Sequence, residues 1–164
     1  MTHIHLETNI NAPISICYDL SRSIDVHLYS AIDTDERAIA GRVSGVIDKG
    51  EFVTWSARHF GIVHQMTVEI CEAIKPYFFA DRMVRGPFHH MHHTHVFQKF
   101  GNTTVMRDDF EYSVPLGWLG KLFDVVILRR YLTKFLLHRN HVIKKLAESG
   151  EWKSLLQTSN MTYV

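Results

Sequence analysis

The segment of this sequence best suited to chemistry holds five histidines within seven residues, His89 to His95. Read as a β-strand, it divides between two faces, and His93 and His95 fall on the same face as Met91 and Phe97. Because these apolar neighbours favour the inner side of a sheet, we expect both imidazoles to point inward, side by side. Two neighbouring imidazoles can bind a metal ion or exchange protons near neutral pH.

The third ligand of a metal site is missing from this part of the sequence. Neither a zinc-protease His-Glu pair nor paired cysteines are present, so a carboxylate from another strand, such as Asp81 or Asp108, would have to complete the site. We therefore predict no metal and no cofactor, and interpret the histidines as pocket lining together with surface residues. If the chain is an enzyme, His93 or His95 is the expected general base, with Asp81 or Asp108 as the acid or orienting partner.

A second group of candidates joins carboxylates to a helix arginine. Asp108 shares a strand face with Met106, Phe110 and Tyr112, and Arg139 interrupts the apolar stripe of the last predicted helix. A charge on an inner face needs a partner, and an inward carboxylate is the simplest one. The group would anchor a polar atom of a ligand or form a buried ion pair, or the arginine would extend past the helix edge to water. The sequence leaves these alternatives open.

Aromatic and methionine side chains near these groups are typical of a cavity for a flat or flexible apolar molecule. Trp55 and His59 share one strand face, and His64, Met66 and Val68 share a face of the next strand. An ordinary packed core would produce the same pattern. The predicted ligand-binding residues are Trp55, His59, Met66, Asp81, Met83, His93, His95, Asp108, Tyr112 and Arg139.

Local patterns predict the strands and short helices that must hold these residues. Alternation of polar and apolar residues predicts a strand over 3–10, after which Pro13 begins a short helix and Ser23 caps a second one. β-Branched and aromatic residues between turn signals then predict six strands. Their predicted ranges are 37–41, 51–60, 63–74, 78–85, 89–100 and 103–114.

Residues 118–148 carry a helical period instead. Apolar residues recur every three or four positions from Val125 to Leu146, and Gly150 stands where a helix C-terminal stop belongs. The order of strand, two short helices, six strands and long helix predicts an α+β helix-grip fold, in which a seven-stranded curved antiparallel sheet wraps around the C-terminal helix. A lipocalin-like barrel lacks the early helix pair, and a cone of the nuclear-transport-factor type puts its helices first.

Several stretches also resemble one known superfamily. They are Glu36–Gly41, Val53–Gly61, Arg85–Phe88, Tyr112–Gly117 and Arg139-Asn140. In them the chain is similar to the SRPBCC superfamily, which includes START domains, the birch-pollen-allergen fold, and polyketide cyclases and dehydrases. The nearest resemblance is to a bacterial group of uncharacterised ligand-binding members, and it covers roughly residues 3 to 148. It implies the same helix-grip fold, but carriers, sensors and enzymes all use this scaffold.

The length, charge and composition of the chain limit which partners and which cellular location we expect. The 164 residues suit one domain, predicted over 1–150 with a tail over 151–164, and a net charge of +1 gives no case for nucleic acid. We predict no stable membrane insertion, since no apolar run approaches the ~20 residues that span a bilayer. The N-terminus does not resemble a signal peptide and the two cysteines lack metal-ligand spacing, which favours a cytoplasmic location. The basic residues of the last helix are interpreted as a solvated face, and the oligomeric state stays open.

These observations together predict a protein that binds a small hydrophobic or aromatic ligand. The ligand would lie in a cavity between the sheet and the C-terminal helix, without demonstrated catalysis. The alternative is an enzyme of the cyclase, dehydratase or hydrolase type that uses the pocket histidines and aspartates as base and acid. A regulatory module that uses the cavity as a sensor is the third hypothesis.

Overall fold

One curved antiparallel sheet forms the main wall of the molecule in the computed structural model, which describes residues 1–31, 35–153 and 156. Its strands are β1 (Thr2–Ile10), β2 (Arg37–Gly41), β3 (Phe52–His59), β4 (Ile62–Ile74), β5 (Phe78–Arg85), β6 (His90–Phe100) and β7 (Thr103–Ser113). The spatial order is β1-β7-β6-β5-β4-β3-β2, so each strand from β2 to β6 pairs with the next strand along the chain, and β1 pairs with β7. The pairing of β4 with β5 is interrupted by two bulges, and bulges of this kind bend a strand.

Helices cover the concave face of the sheet. Within the described part of the chain they are α1 (Ile14–Ser21), α2 (Ile24–Ser30), α3 (Gly117–Phe123) and α4 (Arg129–Ser149), with a π-helical turn at Asp124–Leu128 between the last two. The Ser23 side chain caps α2 as predicted, because it accepts a hydrogen bond from the Val26 amide at 3.3 Å. The predicted helix-grip fold is confirmed. Apart from residues 151–153 and 156, the predicted tail lies outside the described residues.

The π-helical turn is the feature of the long C-terminal helix that the sequence pattern does not reveal. It begins at Asp124, whose buried carboxylate accepts hydrogen bonds from the hydroxyl groups of Tyr112 and Thr2. The sheet therefore fixes the position of this residue. Because a π turn spaces its hydrogen bonds more widely than an α turn, side chains within and before it are rotated relative to those of α4. Val125 is exposed for this reason, although the sequence places it on the inner stripe.

The core occupies only part of the space between the sheet and the helices. Ile143 and Leu146, in the second half of α4, are buried in it. Tyr18 of α1 packs edge-on against Phe79 and Phe97, with ring centroids 5.7 and 5.5 Å apart. The first half of α4 instead faces an open cavity. None of the described helices combines the length and apolarity required to cross a bilayer.

Candidate functional site

A cavity of about 670 Å³ separates the concave face of the sheet from the first half of α4. Its volume lies in the range of pockets that hold small ligands. Strands β3 to β7 supply one wall, and the π turn and α4 supply the other. Its apolar lining includes Trp55, Met66, Val68, Phe88, Leu132 and Phe135.

The structure divides the predicted ligand-binding residues into two groups. Six of them line the cavity: Trp55, His59, Met66, Asp81, His93 and Arg139. The other four lie outside the lining. His95 and Asp108 are buried on the concave side without lining the cavity, and Met83 packs against the core. Tyr112, predicted in the pocket, is instead fully buried, because its hydroxyl is directed to Asp124 at the π turn.

The register of three adjacent strands brings four polar side chains together. Asp81 of β5 lies opposite His93 of β6, and His95 of β6 lies opposite Asp108 of β7. Residues two apart on a strand share a face, so all four point to the concave side. We call this set the first polar cluster.

Distances within the first polar cluster are short. The rings of His93 and His95 have centroids 3.9 Å apart. Asp108 Oδ1 lies 2.7 Å from His95 Nδ1 and 3.3 Å from His93 Nε2, and Asp81 Oδ1 lies 3.7 Å from His95 Nε2. These three nitrogens are buried, and none of the contacts has both the distance and the angle of a hydrogen bond. The four groups therefore interact through charge and proximity.

Burial and the two carboxylates set the charges in the first polar cluster. Burial would lower the pKa of His95, but Asp108 and Asp81 outweigh it and raise that pKa above its usual value. Burial and the charge on His95 lower the pKa of His93 to about 4. Burial would raise the pKa values of Asp108 and Asp81, yet the two imidazoles hold both below their ordinary range. The two carboxylates therefore favour the charged form of His95, whereas His93 is neutral at neutral pH.

Asn140 of α4 joins the first polar cluster to the helix, and sequence reasoning missed this role. Its amide nitrogen donates to Asp108 Oδ2 at 2.6 Å, and both side chains are buried. Asn140 follows Leu136 by four residues and precedes Ile143 by three, which places it on the inner face of α4. A polar residue within that apolar stripe is the signal that could have identified it.

Arg139 makes a contact different from the predicted pairing with a strand carboxylate. Its guanidinium donates to the carbonyl oxygen of Ser21 at 2.7 Å, while the side chain lines the cavity. Asp108 is already contacted by the imidazoles of the cluster and by Asn140. Arg139 instead stabilises the last residue of α1, where free carbonyl groups carry partial negative charge.

A second polar cluster lies toward the β2 edge of the sheet and consists of His27, Glu36, His59 and Tyr131. The His27 ring stacks on Trp55 with centroids 4.2 Å apart, and its Nε2 is 3.3 Å from Glu36 Oε1. His59 Nδ1 and the Tyr131 hydroxyl oxygen are 2.7 Å apart. Burial would raise the pKa of Glu36, but His27 outweighs it and lowers that pKa, whereas burial lowers the pKa of His59.

Sequence reasoning missed three members of the second polar cluster. His27 follows Ile24 by three residues and so shares its buried helix face, and Tyr131 precedes Phe135 by four in the same way. These spacings could have identified both. Glu36 precedes a strand and carries no periodic signal, so only its long-range contact with His27 reveals it.

The arrangement combines apolar walls with polar groups on two sides. Asp81 and His93 present one carboxylate and one neutral imidazole to the cavity, and His59 and Tyr131 present an imidazole and a phenol. Such a cavity can bury the apolar surface of a small molecule while hydrogen-bonding its polar atoms.

Comparison with known proteins assigns this geometry to a known fold. No protein-family model and no curated protein matches the sequence. A START superfamily protein from Mycobacterium smegmatis has a TM-score of 0.67 at 9% identity, over 90% of this chain and 97% of its own. Ginseng major latex-like protein 151, from Panax ginseng, has a TM-score of 0.63 at 15% identity, over 89% and 97%. The Zhui aromatase/cyclase from Streptomyces sp. R1128 has a TM-score of 0.59 at 12% identity, over 91% and 98%.

The chain therefore has the helix-grip fold that these three proteins share. This confirms, at the level of the fold, the resemblance carried by the sequence stretches. Because all three identities lie at or below 15%, the similarity defines the shape of the protein and leaves its ligand and chemistry to the site itself.

Proposed function

We propose that this protein binds a small, largely apolar molecule with a flat or aromatic part in the cavity between the sheet and α4. The observation that carries the proposal is a cavity of about 670 Å³ whose wall is mainly apolar and contains a few inward polar groups. The ring of Trp55 stacks on His27, which fixes its orientation, and Trp55 lines the cavity as an aromatic contact for the ligand. Asp81, His93 and Arg139 would bind its polar atoms.

Binding without turnover is favoured by the properties of the two candidate bases. A general base works best when its pKa lies near the operating pH, and the pKa of His93 is lowered to about 4. His95 has a raised pKa, but it lies outside the cavity lining. Neither imidazole therefore combines access to a ligand with strong basicity at neutral pH.

An enzyme of the cyclase or dehydratase type is the second candidate function. One observation favours it: Asp81 and His93 present a carboxylate and an imidazole at the same wall of the cavity. The Zhui aromatase/cyclase, which shares the fold, shows that the scaffold is compatible with such chemistry. Here the Asp81 carboxylate would accept a hydrogen bond from a substrate hydroxyl group and orient it, while the neutral His93 accepts a proton.

Native mass spectrometry of the purified protein tests the first proposal directly, because a tightly held apolar molecule is retained in the gas phase. Recovery of that molecule unchanged after incubation with the protein supports binding. Its conversion to a product, lost in His93→Gln with affinity retained, would support the enzyme instead.

A cavity-filling variant tests the location of the ligand, with anilinonaphthalene sulfonate as the probe. Ala57 of β3 is buried and lines the cavity, so Ala57→Trp fills the space where the ligand would lie. We expect probe affinity to fall by at least about tenfold, which is ~1.4 kcal/mol. Ser56→Trp, on the opposite face of the same strand, is the matched control and should leave affinity unchanged. Equal affinity in both variants would refute the cavity as the binding site.

A further inference from the structure

Three side chains of the first polar cluster have the types and positions of metal ligands. Asp81, His93 and His95 each offer one ligand atom, and these atoms all lie within 4.8 Å of one another. They come from adjacent strands of one sheet, so the backbone hydrogen bonds between β5 and β6 hold them in place. The ring nitrogens of both histidines that face the cluster are buried without an aligned hydrogen-bond partner.

The spacing of these atoms suits a bound ion. Zinc takes imidazole nitrogen and carboxylate oxygen at about 2.0–2.2 Å in a tetrahedral arrangement, which places neighbouring ligand atoms roughly 3.4 Å apart. His95 Nε2 and Asp81 Oδ1 are already 3.7 Å apart. All of the ligand atoms lie within 4.8 Å of one another, so side-chain movements of at most about 1.4 Å would bring them to that spacing.

Asp108 lies next to the second ring nitrogen of His95, the nitrogen that would not bind the metal. Its Oδ1 lies 2.7 Å from His95 Nδ1, on the side of the ring opposite Nε2. Histidine ligands commonly donate their second nitrogen to a carboxylate, which fixes the ring and strengthens the ligand. Asn140 in turn donates to the other oxygen of Asp108 at 2.6 Å. Asp108 therefore lies beside Nδ1 of His95, while Nε2 of the same ring lies beside Asp81.

We propose that Asp81, His93 and His95 bind a divalent transition-metal ion of the zinc or iron(II) kind at the wall of the cavity. Two imidazoles and one carboxylate form the ligand set that such ions share when coordination positions stay open. Asp81 and His93 line the cavity, so the open side of the ion faces a bound molecule. The third ligand that the sequence left unidentified is Asp81, supplied by the register of β5 with β6.

Titration of the chelator-treated, untagged protein with zinc alone tests this proposal by calorimetry. We expect one site per chain. Asp81→Asn keeps the side-chain shape and removes the charged ligand, so affinity should fall at least about 100-fold. Asp108→Asn acts through the two histidines that Asp108 contacts, and loss of such a support typically weakens metal binding about 10–100-fold. Absorption spectra of the cobalt-loaded protein report the ligand geometry separately from affinity.

Surface histidines provide the matched control. His90 and His92 lie on the same strand as the two ligands but on its outer face, so the double variant His90→Gln/His92→Gln should bind zinc with unchanged affinity. Equal binding in the wild type and Asp81→Asn, or loss of binding in the surface variant, would overturn the proposal. The titration contains no apolar ligand, so it is independent of the proposed function of the cavity.

An exposed apolar surface surrounds the mouth of the cavity and points to a different partner. Leu116 and Trp118 are 78% and 73% exposed. The ring of Phe60, at the end of β3, lies 5.6 Å from that of Phe123 in α3, so the two segments form one surface. We call it the mouth surface; its main residues are Phe60, Ile62, Leu116, Trp118, Leu119 and Leu122.

Positive charge flanks the mouth surface. Lys121, Arg129, Arg130 and Lys134 are all exposed, and the one acidic residue over 116–134, Asp124, is buried and bonded to Tyr112. Apolar side chains beside exposed basic residues are the pattern of segments that adsorb to anionic membranes. We propose that the mouth surface docks on an anionic lipid bilayer, so that the cavity opens toward the membrane while the protein stays at its surface.

Co-sedimentation with vesicles tests this docking. We expect binding to phosphatidylcholine vesicles that contain phosphatidylserine, weak binding to phosphatidylcholine alone, and loss of binding as salt rises. Lys121→Gln should weaken binding about fivefold, and Trp118→Ser/Leu122→Ser by at least about tenfold. The matched control is Ile74→Ser/Tyr77→Ser, which removes equally exposed side chains at the β4–β5 turn, at the other end of the strands.

Three results would overturn the docking proposal. They are equal binding to both vesicles, unchanged binding in the Trp118→Ser/Leu122→Ser variant, and equal loss in the control variant. Concentration-dependent dimerisation in analytical ultracentrifugation, abolished by the same Trp118→Ser/Leu122→Ser change, would assign the mouth surface to a second copy of the chain instead.

Discussion

The substitution Asn140→Leu tests whether the first polar cluster holds α4 against the sheet. Asn140 donates to Asp108 Oδ2 at 2.6 Å, and the two residues are 3% and 2% exposed. A hydrogen bond to a charged group contributes about 1.5–3 kcal/mol, and a buried carboxylate oxygen without its donor adds a desolvation cost. Leucine is close in size, so little packing is lost. We expect the free energy of unfolding to fall by about 2–4 kcal/mol, and Tm by roughly 4–16 °C.

Urea unfolding followed by tryptophan fluorescence measures this loss, and two further variants interpret it. His141→Leu makes a comparable change at the exposed neighbouring position and should shift stability by less than about 0.5 kcal/mol. In an Asp108→Asn background the cost of Asn140→Leu should shrink by at least about 1 kcal/mol, because the charged acceptor is gone. A loss below about 0.5 kcal/mol, or costs that simply add, would refute the assignment of this bond as the main link between sheet and helix.

Three further predictions concern stability. Tyr112→Phe removes a hydroxyl donor from the buried Asp124 carboxylate, so the urea midpoint should fall by the equivalent of about 1–3 kcal/mol. Folding lowers the pKa of Glu36, so its ionised form stabilises the protein above the unfolded pKa of 4.5, and this contribution is lost as pH falls. The free energies of unfolding of Glu36→Gln and wild type should therefore converge as pH falls. A difference that stays constant with pH would contradict this. Gly120→Ala would place a Cβ 1.8 Å from the Pro115 carbonyl oxygen, so α3 must shift and calorimetry should show a stability loss of about 1–3 kcal/mol. If Tyr112→Phe or Gly120→Ala unfolds at the wild-type midpoint, the contact assigned to that residue is wrong.

The sequence predicts the elements of this fold well because their signals are local. The strand over 78–85 matches β5 at both ends, and Ser23 and Gly150 mark helix boundaries where the structure has them. The π turn escapes prediction because its cause is distant in the sequence. Asp124 is held by a tyrosine and a threonine of two different strands, and no periodic pattern within the helix reports that contact.

The candidate site is predictable from the sequence only where its signals are local. His93 and His95 are two residues apart on one strand, so their shared inward face follows from alternation alone. Which carboxylate meets which imidazole depends on strand register. The path of the chain through 86–89 sets that register between β5 and β6, and the sequence does not specify it. The sequence therefore supplies both aspartates as candidates but cannot assign Asp81 to the cavity wall and Asp108 to the buried side.

The energetic cost of the first polar cluster argues that it serves the cavity. Taking charges out of water is unfavourable, and replacing a buried ion pair by apolar residues of similar volume often leaves stability unchanged or increases it. Asp108 and His95 are each only 2% exposed, yet the cluster extends through Asp81 and His93 to the cavity wall. A cluster with a purely structural role would need no such access. Asp81→Asn, which keeps the side-chain shape, should therefore change the binding of whatever occupies the cavity more than it changes the free energy of unfolding.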